Sequence, residues 1–187
     1  MLQRLKRALG REDDPARSDA TRIYRRLMEV SRRPGFYGEG RVPDTFQGRT
    51  ELLIAHVSVV MKACQQHGEN GRLLQQALFD IMRDDFDVAL REEGYSDAGV
   101  KHRIKPMMKL FYQMVKGVAE ALDGEDRDGL VALMEDAEKA DGLGKASPDY
   151  RGALADYLRE SWERHRGLAL GELAQARLDF PETPRVA

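Results

Sequence analysis

The 187 residues hold a single cysteine, Cys64, so no disulfide can close within the chain, and nothing in its cysteine usage points to an oxidising compartment. Long apolar runs are missing too. No window approaches the roughly 18 consecutive apolar residues that a membrane-spanning helix needs. The opening stretch MLQRLKRALGRED has no apolar core of the kind a secretory signal carries. A cytoplasmic address is expected, with at most peripheral contact at the inner face of the cytoplasmic membrane. Charge of one sign is not in excess: the formal net charge is −2, so bulk charge does not make the chain a polyanion binder. Glycine-rich phosphate loops, dinucleotide fingerprints, paired zinc cysteines, HExxH and the nucleophile elbow are all absent. With no such motif, no enzyme activity and no cofactor are expected.

What is present is helix. Charged residues make up 33% of the chain and apolar ones 42%, a profile that suits surface-exposed amphipathic helices. Ile23, Leu27 and Val30 share a face of a helix that Ser18 or Asp19 can cap and Pro34-Gly35 ends. The segment from about Gly48 to His67 is apolar round most of its circumference, so it is expected to be central. Asp44, with Gln47 three residues on, reads as its capping box. Asn70 can cap a helix over about Gly71–Glu93 whose buried stripe is Leu74, Leu78, Ile81 and Val88. Ser96 or Asp97 opens another, with Ile104, Met108, Phe111, Val115, Val118 and Leu122 as a packing seam and Pro106 as a kink near its start. Leu130, Leu133, Met134 and Ala137 suggest a short helix. Ser147-Pro148 starts one bearing Leu154, Tyr157, Leu158 and Trp162, which can continue through Leu168, Leu173 and Leu178. No alternating strand pattern stands out. The prediction is an all-α single-domain bundle of about six to seven helices over residues 18–178. A basic amphipathic arm at 1–17, with Leu2, Leu5 and Leu9 on one side, precedes it, and a frayed tail at 179–187 follows.

Charge is unevenly placed. Residues 1–33 carry ten Lys/Arg against five Asp/Glu, 69–98 carry eight acids against three bases, and 101–116 carry five bases and no acid. Asp80, Asp84, Asp87 and Arg91 share one helical face, and Lys105, Lys109 and Lys116 another. Each stripe reads either as a solvated or internally paired face or as a docking surface. The lysine stripe lacks the aromatics of single-strand nucleic-acid platforms, and no basic recognition helix follows a tight turn, so DNA is not an expected partner. A ribosome- or RNA-associated role for Lys101–Lys116 and the N-terminal arginines stays open as an alternative.

His56 lies on the apolar stripe of the central helix and Asp85 on that of the next, so a buried His56–Asp85 pair is expected, because an unpaired buried polar group is costly. The sharper alternative is a metal-binding protein or enzyme centred on His56 and nearby acids. Helix bundles hold di-metal centres with Glu-x-x-His motifs, and none occurs here. Cys64 in an apolar helix is expected to stay a protonated, inert thiol. Finally, the loop 34–46 is rich in glycine and proline yet contains Phe36, Tyr37, Val42 and Phe46. Apolar groups in a loop pack down or receive a ligand.

Two stretches carry a family resemblance. Phe36-Tyr37, Val42-Pro43-Asp44-Thr45, Gly48-Arg49, Leu53 and His56 resemble the opening signature of the ubiquinol–cytochrome c chaperone family. Gln76-Ala77-Leu78-Phe79-Asp80-Ile81-Met82, Asp84, Asp87, Leu90-Arg91-Glu92, Gly94, Asp97 and Val100-Lys101 are similar to its second signature, in order and spacing, and Phe111-Tyr112 fits the helix after it. The resemblance covers about Ile23 to Leu122. The C-terminal third departs from the pattern, with Leu158-Arg159-Glu160 where the family has an Arg-Asn pair. The resemblance implies an all-helical, non-enzymatic assembly factor for the cytochrome bc1 complex that binds newly made cytochrome b. By way of mitochondrial relatives, the resemblance also implies action near the ribosomal tunnel exit with a small partner protein. The short chain without a transit peptide suits a bacterial member. On this reading Phe36, Tyr37, Val42, Pro43, Asp44, Phe46 and Arg49 are the expected apolar part of a client-binding cleft. Asp80, Asp84, Asp87 and Arg91 are its acidic part, and the basic arm holds the protein near a membrane or ribosomal RNA.

Overall fold

The computed structural model describes residues 15–136 and 142–185; Leu2, Leu5, Leu9 and the basic residues Arg4, Lys6, Arg7 and Arg11 of the expected N-terminal arm, and Ala137, lie outside them. Among the described residues there are seven α-helices: α1 Pro15–Ser31, α2 Phe46–Gln65, α3 Gly68–Glu92, α4 Asp97–Asp123, α5 Arg127–Asp136, α6 Pro148–His165 and α7 Leu170–Ala174. Two single 3-10 turns, Pro34–Phe36 and Leu143–Lys145, complete the list of helical elements. The only β pairing among these residues is one isolated bridge, Tyr37 to Val42, so the fold is all-α.

Helix starts differ from expectation in instructive ways. Pro15 is the first described residue of α1, and Ser18 and Asp19 sit inside the helix, both bonded to Arg22. Thr45, not Asp44, caps α2: its Oγ1 accepts from Gly48 N at 3.1 Å. The Asp44 carboxylate is already engaged by Arg49 at 2.5 Å, and Gln47 turns to Glu51. Helix α3 begins at Gly68, two residues before Asn70, and no side chain caps it. Ser147 does cap α6, accepting from Tyr150 N at 3.2 Å, with Pro148 in the first turn. Pro106 stays inside an uninterrupted α4.

Every residue of α2 from Thr50 to Cys64 is buried, as an apolar circumference requires. The buried face of α3 is Leu74, Ala77, Leu78, Met82, Phe86 and Leu90. Val88 is 51% exposed, because the buried face is centred toward Met82 and Phe86, about 100° round the helix from it. On α4 the buried line is Val100, Met107, Phe111, Met114, Val118 and Leu122, rotated slightly from the expected seam.

The chain divides into two compact units, each built from separate segments. The first comprises Met1–Arg26, Cys64–Met108 and Ala169–Leu178. In it α3 packs on α7, and Arg22 Nε donates to Ala174 O at 3.2 Å. Gly71 is required there: a Cβ would lie 1.9 Å from Cys64 O. The second comprises Leu27–Ala63, Lys109–Leu168 and Asp179–Ala187. In it α5 packs on α6, clamped by the Arg127–Asp156 fork at 2.7 and 2.9 Å.

Helix α6 ends at His165 instead of running to Leu178. The segment expected to fray does not lie free. Leu178 and Phe180 are each 4% exposed, and Pro181 and Pro184 are buried. Apolar side chains two apart on an extended backbone supply enough burial to hold a segment without regular structure.

Candidate functional site

The loop between α1 and α2, in the second unit, separates into a buried and an exposed part. Phe36 and Val42 are fully buried; as placed, they line no open cleft, because the 3-10 turn at Pro34–Phe36 drives the phenyl ring into the core. Phe36 stands edge-on to His56 (5.4 Å) and Tyr157 (5.2 Å), geometry that aromatic quadrupoles favour. Tyr37 is half-buried, with its hydroxyl donating to Ser31 O at 2.6 Å. Burial pushes its phenol up to about 12, against the lowering effect of Arg49, whose guanidinium lies 5.4 Å from the ring centre. Asp44 and Arg49 are exposed and paired, Pro43 is half-buried, and Phe46 is 40% exposed. The accessible rim is therefore Tyr37, Pro43, Asp44, Phe46 and Arg49.

The acidic residues belong to the first unit. Asp80, Asp84 and Asp87 are half-exposed on α3, and each has an arginine. Arg83 reaches Asp80 at 3.4 Å and Asp84 at 2.9 Å, Arg17 reaches Asp84 at 3.5 Å, and Arg91 reaches Asp87 at 2.6 Å as well as Asp97. The stripe is thus neutralised by its own neighbours. Leu73 and Val88, 48% and 51% exposed, are the apolar groups α3 leaves uncovered. Tyr95 and Arg103 stack at 3.7 Å beyond it.

The expected His56–Asp85 pair is not formed. His56 Nδ1–H donates to Leu52 O at 2.7 Å, and Nε2 accepts from the Tyr157 hydroxyl at 2.9 Å, an assignment fixed by the partners. Asp85 accepts from Tyr24 at 2.7 Å. Both groups found hydroxyl partners that a stripe comparison of two helices leaves out. Desolvation holds the His56 imidazole down at about 4, so it is neutral and structural. Burial likewise pushes the Cys64 thiol up to about 12, which removes it as a nucleophile. Among the described residues no three His, Cys, Asp or Glu side chains are grouped to hold a metal ion, and no helix is long and apolar enough to cross a membrane.

A family model described as ubiquinol-cytochrome C chaperone matches residues 39–180. The chain belongs to that family. The match takes in the C-terminal third as well, beyond the Ile23–Leu122 span that the motifs carry. The mouse ubiquinol-cytochrome c reductase complex assembly factor 1 is similar, at 24% identity over 115 residues, covering 62% of this chain. The chain spans 39% of that relative's length. The crystal structure of the Cbp3 homolog from Brucella abortus matches with a TM-score of 0.76 and 26% identity, covering 98% of each chain.

Sequence reasoning missed three features of this chaperone-family fold. Glu51 is fully buried in α2 and accepts from Leu143 N at 2.6 Å and from Gln47. Desolvation raises its carboxyl above the ordinary value. His165 is fully buried at the end of α6, its Nδ1 2.5 Å from Ser161 O. Phe180 lies between the two histidines, 5.3 Å from His56 and 4.6 Å from His165. The one signal for the last was the pair of apolar residues, Leu178 and Phe180, in a proline-rich tail.

Proposed function

We propose that this chain is an assembly chaperone that binds newly made cytochrome b during biogenesis of the ubiquinol–cytochrome c reductase (bc1) complex. Family membership across residues 39–180 carries the reading, and the assembly-factor name of the mouse relative supports it. The client contact is assigned to the exposed rim of the α1–α2 loop, with Phe46 as its apolar anchor and the Asp44–Arg49 pair beside it. The face of α3 that carries Leu73, Val88 and the arginine-paired acids is a weaker, second contact. Contacts with the ribosome near the tunnel exit and with the membrane surface belong to the same proposal. Lys101, Lys105, Lys109 and Lys116 are exposed basic groups of α4 that could meet an anionic surface, Lys116 beside Glu120 at 3.7 Å.

Deleting the gene tests it. The bc1 complex and mature cytochrome b fall while the cytochrome b transcript stays level. Cytochrome b that accumulates and matures normally in the deletion strain overturns the proposal.

A further inference from the structure

Residues 179–185 carry neither helix nor strand, yet they are held in a fitted slot in the second unit. The Phe180 ring packs against His165 and His56. Arg33 Nη1 donates to Pro181 O at 2.8 Å, and Arg164 Nη1 pairs with Asp179 at 2.8 Å. Thr183 presses on Gly35, where a Cβ would lie 2.1 Å from the threonine Oγ1.

The aromatic wall of the slot is held by bonds that do not involve the segment filling it. His56 is fixed by Leu52 O and the Tyr157 hydroxyl. The 3-10 turn beneath is fixed by Tyr150, whose hydroxyl lies 3.2 Å from Phe36 O and 3.3 Å from Gly35 O. Phe36 is wedged edge-on between His56 and Tyr157. A site whose side chains are locked by their own bonds keeps its shape when the occupant leaves.

The fit is also incomplete. His165 spends its Nδ1–H on Ser161 O, so its Nε2 is an acceptor, and that atom is buried with no hydrogen-bond partner. Buried acceptors are normally satisfied. The phenyl ring of Phe180 has no N–H or O–H to offer. A tyrosine hydroxyl or an indole N–H in the same slot does.

We propose that the slot is a binding site for an extended partner segment that places an acidic residue before a donor-bearing aromatic, tyrosine or tryptophan, and that Asp179–Arg185 keeps the site closed until such a segment displaces it. Arg164 takes the acid, the His56–His165 wall takes the ring, His165 Nε2 takes its proton donor, and Arg33 takes the next carbonyl. This deepens the client-binding reading and rests on it for the identity of the partner, but the binding itself is separable.

The test uses the full chain and two fluorescein-labelled peptides, one with the sequence of Leu178–Arg185 and one with tyrosine in place of its phenylalanine. Wild type binds both weakly, because its own segment competes. Phe180→Ala binds both, and binds the tyrosine peptide about tenfold more tightly, one hydrogen bond to a buried acceptor. Adding His165→Phe abolishes that preference while leaving the phenylalanine peptide bound. A helical Phe180→Ala protein that binds neither peptide, or binds both alike, overturns the proposal. Should that variant unfold, Asp179→Arg loosens the segment at an exposed position. It then binds the tyrosine peptide more tightly than wild type, and Arg164→Asp in addition restores the wild-type level; equal binding by all three overturns the proposal. Loss of peptide binding with a bc1 defect in the deletion strain removes the slot alone. Peptide binding without a bc1 defect removes the cytochrome b reading and leaves the slot standing.

Discussion

His56 sets the pH response of the core. Its imidazole is held near 4 by desolvation, the largest cause, while the unfolded chain titrates near about 6.5. The folded state therefore binds fewer protons than the unfolded one between those values. Stability is full above about 6.5 and falls by roughly 1.4 kcal/mol per pH unit as pH drops toward 4, about 3 kcal/mol in all. Burial depresses His165 in the same direction and adds to the loss. Urea midpoints measured from pH 7.5 to 4.5 should fall steeply in the wild type and less steeply in His56→Gln; an unchanged slope in the variant removes this account. Glu51 works in the opposite sense. Its carboxyl is raised by desolvation, so the charged form is less favourable in the folded chain than outside it, and that handicap is absent below the unfolded carboxylate's value. At pH 7, Glu51→Gln keeps an oxygen for Leu143 N and should leave stability within about 1 kcal/mol. Glu51→Ala strands that N–H and opens a hole, costing about 2–4 kcal/mol in urea denaturation.

The same glutamate explains how the turn after α5 is fastened to α2. Gly142 stands so close to the carboxylate that a Cβ would lie 2.2 Å from Oε2, although its φ of −104° is open to any residue. The requirement is thus steric, and Gly142→Ala should cost about 1–3 kcal/mol by overpacking. In a Glu51→Ala background most of that cost disappears, since the two positions share one contact. Equal costs in both backgrounds would refute the contact. Five residues on, Ser147 closes the first turn of α6 on Tyr150 N, and its main-chain N–H donates to Gly40 O at 2.9 Å. Ser147→Ala removes only the cap and should lower stability by about 1 kcal/mol, read as a small shift in the urea midpoint with α6 still formed by circular dichroism. Element starts of this kind were partly legible. Ser-Pro announced α6, because cap and first-turn proline are adjacent in sequence. Thr45 lost out to Asp44 on paper, because the claim of Arg49 on that carboxylate depends on a fold-back that no local pattern encodes.

At the scale of the whole chain, helical content and the burial of α2 followed from periodicity, since apolar residues round a full circumference can only be buried. What periodicity could not reach were contacts between segments far apart in sequence. The hydroxyls of Tyr157 and Tyr24 took the partners assigned to His56 and Asp85, and Phe180 crossed from the tail to a wall made by α2 and α6. The candidate client residues divide for the same reason: Phe36 and Val42 read like Phe46 in a loop, but only the folded 3-10 turn decides which rings face inward. Charge pairing was hidden likewise, because Arg17 lies 67 positions from Asp84 in the chain and still neutralises it. That pairing yields a prediction about how a client is held. If the loop rim carries the contact, apolar burial dominates it, and recovery of cytochrome b with the tagged protein should survive a rise from about 0.05 to 0.5 M salt, where screening shortens to a few ångströms. Phe46→Ala should reduce recovery roughly tenfold, the loss expected for an apolar anchor worth about 1–2 kcal/mol. Replacing Asp80 and Asp87 together by asparagine should change it little, because both acids are already paired. Recovery that collapses in salt and is lost with the two asparagines, but not with Phe46→Ala, would move the client contact from the loop to the face of α3.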